Sequence, residues 1–185
     1  RTPQGHAMLV DAGSQEAGRF RVLPFLRHEG VTTLDGLVLT HTDEDHLGGA
    51  LPLLGAMRVR RLLTNGARGG TMTARRVRSL AARQGIPESV VAAGMTIDAG
   101  SGVEIAVLHP PRGGVPGILP ASNDQCLVLR LTKGMRRLLL TGDIEEAGLP
   151  WLLRSGAGLR ADVLKVPHHG SRLGEAGERL FQAVR

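Results

Sequence analysis

His41-Thr42-Asp43-Glu44-Asp45-His46, followed by Leu47-Gly48-Gly49, decides how this chain is read. Four side chains able to bind metal, His41, Asp43, Asp45 and His46, follow directly on the apolar run Gly36-Leu37-Val38-Leu39-Thr40. In an extended segment side chains alternate, so His41, Asp43 and Asp45 are expected to point the same way, with His46 placed where the pattern turns helical. Gly48 and Gly49 remove bulk where backbone has to come close. Ionisable groups packed this tightly repel or desolvate one another unless a cation compensates them, and no packing rule asks for such a cluster at the end of a strand. The stretch reads as a metal site.

The chain has 185 residues, enough for one domain with a core of its own. It opens at Arg1 and stops at Arg185 inside a helical pattern, so residues 1–185 read as a single domain excised from a larger protein. No apolar run approaches a membrane span and no signal-like segment opens the chain, so any membrane part of a parent protein lies outside it. The single cysteine, Cys126, excludes a disulfide within the chain and a thiolate-rich zinc cage. Its setting, Cys126-Leu127-Val128-Leu129, reads as a strand with a small buried hydrophobe. The formal charge is +6, and every basic residue except Lys133 and Lys165 is arginine. Arginine forks match phosphate, which suits a polyanionic partner, although codon usage produces the same bias. With no Tyr, one Trp and three Phe, stacking of bases on exposed rings is not expected to dominate.

Short apolar runs alternate with helical patterns, which defines an α/β chain. Strands are predicted at 7–12, 36–40, 59–64, 103–108, 126–132, 136–141 and 162–166. Helices are predicted from Val22 to Glu29, Asp45 to Leu54, Thr71 to Gln84 and Glu145 to Arg154, with another starting near Gly174. Gly and Pro gather at 110–120, which reads as a surface loop. In the Thr71–Gln84 helix, Ala74, Val77, Leu80 and Ala81 form an apolar face, while Arg75, Arg76 and Arg78 offer a basic one. Those three arginines are the candidate nucleic-acid contacts.

The cluster at 41–46 resembles the second motif of the metallo-β-lactamase superfamily, with Asp43 where most members carry His. Leu9-Val10-Asp11-Ala12-Gly13 is similar to the first motif, and Leu138-Leu139-Leu140-Thr141-Gly142-Asp143 to the fourth. Ala161-Asp162-Val163-Leu164-Lys165-Val166-Pro167-His168-His169-Gly170-Ser171 resembles a segment of one branch, the ComEC family of DNA-uptake channel proteins. The resemblance implies an αβ/βα sandwich, truncated at one or both ends. It implies that His41 and Asp43 hold one metal, that Asp45 and His46 hold a second, and that Asp143 bridges them. Asp11 would fix a ligand from behind. In place of the third-motif His stands Ser122-Asn123-Asp124-Gln125-Cys126, with Asn123 nearest the ligand position and an amide typical of the ComEC branch. A final metal-binding His is expected one strand beyond Ser171, past the end of this sequence.

Asp45, His168 and His169 are the candidate catalytic groups, and of the two histidines we favour His168 as the one facing the site. Carboxylate and amide oxygens without thiolate favour two divalent ions, Mn²⁺ before Mg²⁺ or Zn²⁺. The function the resemblance implies is a metal-dependent deoxyribonuclease, on the extracytoplasmic side of a bacterial membrane channel, that degrades the strand not taken up during natural transformation. Two alternatives remain. One is a hydrolase of a small ester or thioester, which would more often carry His at 43 and in the third motif. The other is a non-catalytic DNA-binding module.

Overall fold

The computed structural model describes residues 1–2, 4–67 and 71–185, which form two compact units, Arg1–Val90 and Val91–Arg185. Each unit has its own sheet and its own helical cover. In the first, β1 (Met8–Val10), β3 (Gly36–Leu39), β5 (Leu62–Thr64) and β6 (Glu88–Val90) make an all-parallel sheet in the order β1-β3-β5-β6. β3 is buried along its whole length, as parallel strands generally are. Leu37 and Leu39 pack with Leu23 and Leu26 of α2 (Leu23–His28), Leu47 of α3 (Glu44–Leu47) and Leu53 and Leu54 of α4 (Ala50–Ala56). Ala74, Val77 and Ala81 of α5 (Met72–Arg83) join the same core, on the face read from the sequence.

In the second unit the sheet order is β11-β10-β9-β8-β7: β7 (Thr96–Asp98), β8 (Val103–His109), β9 (Val128–Lys133) and β10 (Arg136–Leu140) run antiparallel to their neighbours. β11 (Val163–Lys165) lies parallel to β10. Val128 and Leu139 pack against Leu149 and Leu152 of α6 (Leu149–Arg154) and Leu180 and Val184 of α7 (Gly174–Val184). Cys126 is fully buried there, its thiol directed at the Thr141 carbonyl.

Several boundaries differ from the sequence reading, each for a long-range reason. The predicted strand 59–64 is two strands. β4 (Arg58–Val59) pairs with β2 (Thr33–Leu34), and the chain hands over to β5 across Arg60 and Arg61, whose backbone bonds Leu34 and Leu37 respectively. The helix predicted from Val22 begins earlier: Ser14 caps α1 (Gln15–Ala17), and a π turn, Gly18–Val22, carries it into α2. That start is set by glycine contact, because a Cβ on Gly18 would fall on the backbone of Gly49. The helix predicted from Glu145 begins at Leu149, since the Asp124 carboxylate accepts from the amides of Glu145 and Gly148 and holds residues 144–148 as a turn. β6 escaped the sequence reading because all three of its residues are exposed. The loop predicted at 110–120 is pinned by the buried Gln125 amide, which bonds the Val115 backbone twice and the Ile118 carbonyl.

Candidate metal centre

Parallel pairing builds the cluster of the first unit. The register Val10↔Val38 puts the residues that follow β1 beside those that follow β3, at the carboxyl ends where open α/β sheets carry their ligands. Asp11 turns out of β1 at φ 56 and its amide bonds the Val38 carbonyl at 2.8 Å. Its Oδ1 accepts from the Thr40 amide at 2.8 Å, and its Oδ2 accepts from the Thr40 hydroxyl at 2.8 Å and from His46 Nδ1 at 2.7 Å. Thr40 Oγ1 also lies 2.8 Å from His41 Nδ1. Only one arrangement of protons satisfies these contacts. A carboxylate accepts and cannot donate, so the Thr40 hydroxyl proton goes to Asp11 and the Nδ1 proton of His41 goes to Thr40. His46 Nδ1 likewise donates to Asp11. When the rings are neutral, Nε2 then carries the lone pair that a cation needs, and one carboxylate orients both, directly or through one hydroxyl.

The two rings lie 4.2 Å apart between centroids and both histidines are buried. The extended alternation expected for residues 41–45 stops sooner than the sequence suggests. Asp43 sits at the N-cap of α3, so Asp45 lies in the first helical turn, largely exposed, with its Oδ2 3.8 Å from His46 Nε2. Gly48 and Gly49 do serve close backbone approach. A Cβ on Gly49 would meet the Ala12 carbonyl, and one on Gly48 would lie 2.8 Å from the Gln15 amide nitrogen.

The second unit repeats the device with β10 and β11, whose register Leu140↔Lys165 sets Val166–His169 alongside Thr141–Asp143. Asp143 is buried, with Lys165 Nζ 3.1 Å from its Oδ1 and His169 Nε2 3.3 Å from its Oδ2. His169, rather than the favoured His168, is thus the ring that meets Asp143. His168 Nδ1 is instead 2.6 Å from Glu145 Oε1, which also accepts from Asn123 Nδ2 at 3.1 Å. Both histidines adopt left-handed backbone, φ 42 and φ 52. Asn123, held by its nitrogen, keeps its carbonyl oxygen for other work. His109, behind this turn, donates from Nε2 to the Asp124 carbonyl at 2.9 Å, and burial pushes its pKa below the usual histidine range.

Among the predicted site residues, Asp11, His41 and His46 bring ligand atoms within 4.8 Å of one another in the first unit. The Asp11 oxygens are spent on Nδ1 and hydroxyl protons, so the geometry makes it the orienting group rather than a ligand. Arg75 and Arg76 line a groove with Leu51, Ser79, Leu80 and Arg83. Arg78 turns the other way, to Glu88 Oε1 at 3.4 Å and the Ala67 carbonyl, while Arg83 lines the groove beside Arg75 and Arg76. Sequence reasoning missed Thr40, Glu145 and Lys165. The position of Thr40, directly before His41, is a usable signal; Glu145 and Lys165 become visible only through strand register and turn geometry. Two imidazole Nε2 atoms with neighbouring carboxylates and no thiolate form a donor set that suits a divalent cation.

Residues 2–183 match the metallo-beta-lactamase superfamily, and the chain belongs to it. A solved metallo-β-lactamase of Cronobacter sakazakii, a HARLDQ-motif S60 mutant, shares the fold with a TM-score of 0.60 over 99% of this chain and 83% of that one, at 16% identity. Within the superfamily the similar curated proteins are ComEC-family competence proteins, as the motifs lead one to expect. ComE operon protein 3 of Bacillus subtilis is 35% identical over 164 residues, 88% of this chain and 20% of that protein. Competence protein ComA of Neisseria gonorrhoeae is 30% identical over 182 residues, 96% of this chain and 22% of that protein. The chain spans about a fifth of the length of these relatives. Among the described residues no helix is long and apolar enough to cross a membrane.

Proposed function

We propose that this chain is the phosphodiesterase domain of a competence protein and hydrolyses DNA with the help of divalent metal, Mn²⁺ before Mg²⁺ or Zn²⁺. The observation that carries the reading is the Asp11–Thr40 arrangement, which presents Nε2 of both His41 and His46 as lone-pair donors. Nothing in the packing of a strand end requires two imidazoles to be set in this way. In this reading His41, Asp43, Asp45 and His46, together with Asn123 and Asp143, hold two ions. Bound divalent ions supply Lewis-acid stabilisation of the charge that builds on phosphoryl and leaving oxygens, and they activate water.

The chain's own residues do the rest. Asp11 and Thr40 fix the ring orientations before any ion arrives, so no rotamer has to be reorganised. His169, exposed beside Asp143, is the group placed to give a proton to a leaving oxygen. His168 is the neighbouring alternative; its Nδ1 donates to Glu145, so in the neutral ring Nε2 bears the lone pair and would accept a proton before giving one. Arg75 and Arg76 hold the phosphate backbone without reading its sequence. The competence relatives support DNA as the substrate and a membrane channel protein as the larger setting; in this reading the domain lies on the extracytoplasmic side and acts on the strand that is not transported.

The test is end-labelled DNA incubated with the purified protein after chelation and add-back of single metals. Cleavage that returns with Mn²⁺ more than with Zn²⁺, and that is absent from Asp143→Ala, is expected. Mn²⁺ binding without cleavage of any DNA would leave a binding module in place of a nuclease.

A further inference from the structure

The turn that carries Asp143 already holds a cation. Lys165 Nζ is 3.1 Å from Asp143 Oδ1 and donates to the Gly142 carbonyl at 2.8 Å. The root of the same residue is tied down as well, because its carbonyl accepts from the Thr141 hydroxyl at 2.7 Å and its strand pairs Lys165 with Leu140. Tip and root are thus both fixed to the loop whose carboxylate, only 3% exposed, they serve. A buried carboxylate without a counter-charge is strongly destabilised, and an ammonium at this distance relieves it. Lysine does this as a compact point charge on a flexible stem, and Lys165 is one of only two lysines in a chain whose other basic residues are arginine.

We propose that Lys165 is a resident counter-ion for Asp143, which stabilises the metal-free site and competes with the divalent ion for this carboxylate. The proposal rests on the reading of Asp143 as a metal ligand. Its sign follows from linkage. Lys165 lowers the free energy of the metal-free protein, where its ammonium offsets the Asp143 charge. Once an ion shares the carboxylate, the ammonium and the ion repel each other across it. Lys165 therefore weakens metal binding at this carboxylate. A site built in this way holds its ion exchangeably and follows the ambient metal level.

The experiment is Mn²⁺ titration of wild type, Lys165→Met and Lys165→Arg by calorimetry and by electron paramagnetic resonance of free Mn²⁺. Thermal melts with chelator and with saturating Mn²⁺ accompany it. Lys165→Met keeps the apolar stem and removes the charge. It should melt lower than wild type in chelator, recover most of the deficit with Mn²⁺, and bind Mn²⁺ about tenfold more tightly. Lys165→Arg, which retains the charge, should stay within about threefold of wild type. Equal or weaker Mn²⁺ binding by Lys165→Met overturns the proposal, as does a melting deficit that Mn²⁺ leaves unchanged. If Lys165→Met is unfolded in chelator, folding regained on adding Mn²⁺ supports the proposal and failure to regain it overturns it. Wild type that takes up no Mn²⁺ removes the metal reading of Asp143 itself, a failure visible before any substitution is made.

Discussion

Asp11 in the first unit and Asp143 in the second occupy matching places, each just beyond a strand with a parallel neighbour, yet their surroundings differ. Asp11 accepts from the Thr40 amide and hydroxyl and from one ring, His46, and the two histidines it sets, directly or through Thr40, are buried. Asp143 is itself buried but is met by a lysine 35% exposed and a histidine 58% exposed. The first unit thus has a preset ligand frame in which each proton has one place to go. The second unit buries Asp143 but sets the groups that meet it nearer the surface, with His169 on a turn where it and His168 are left-handed. Such conformations cost on the order of 1 kcal/mol per residue. They persist here because the His168 amide bonds the Gly142 carbonyl and the Ser171 amide bonds the His168 carbonyl. Burial gives orientation in one unit, and exposure leaves room for proton transfer in the other.

The comparison breaks most sharply at Asp11. Asp11→Ala leaves the Thr40 amide, the Thr40 hydroxyl and His46 Nδ1 without their acceptor. A loss of about 3 kcal/mol in stability by urea denaturation is expected, since each buried donor left unmet costs about 1–3 kcal/mol and water reaches part of this one. Mn²⁺ affinity should fall about 10–100-fold as the rings lose their orientation. Unchanged affinity would show that the rings need no preset frame.

His109 sharpens the contrast from the other side, since here the second unit also buries an imidazole. Its pKa is lowered because burial disfavours the charged ring, an effect opposed by the hydrogen bond to the Asp124 carbonyl and by the Asp124 charge. The folded ring thus releases its proton more readily than the unfolded one. Stability from His109 is then present above its ordinary value, about 6.5, and is lost as pH falls through the lower folded value. Wild type should lose stability as pH falls from about 6.5 to that lower folded value, with a slope of up to about 1.4 kcal/mol per pH unit from this one group. In His109→Gln, with no ring to charge, that component of the slope should be missing. Urea midpoints across acid pH for both proteins decide it, and parallel curves would remove His109 from the account.

The smallest effect separates the arginines of α5. Arg75→Ala with Arg76→Ala should flatten the salt dependence of DNA binding by about 1.5 in log–log slope, one released counterion for each phosphate contact. Arg78→Ala should leave that slope unchanged, because its guanidinium is committed to Glu88 and Ala67. Fluorescence anisotropy across a salt series resolves the two, and equal slopes in all variants would make the α5 face a solvated surface with no phosphate contacts.

Much of the molecule is legible in the chain because it is local. Helix α5 shows its apolar face at 74, 77 and 81 by periodicity alone, and Cys126 shows its burial by the run around it. The cluster of His41, Asp43, Asp45 and His46 is legible because its members are neighbours in sequence. The orienting partners are not neighbours. Asp11 reaches His46 across 35 residues and Lys165 reaches Asp143 across 22, each through a parallel strand register. Parallel strands need a crossover between them, so no short-range pattern records which residues their ends will bring together. The same holds for the break of the predicted strand at Arg60, the delayed start of α6 under the Asp124 carboxylate, and the choice of His169 over His168 beside Asp143. The sequence by itself determined the superfamily, the core faces and the cluster of candidate metal-binding side chains, since periodicity and adjacency are written along the chain. Only the tertiary structure decided which proton each imidazole keeps, which arginines stay available and which cation guards Asp143, because those depend on distances closed by strand pairing.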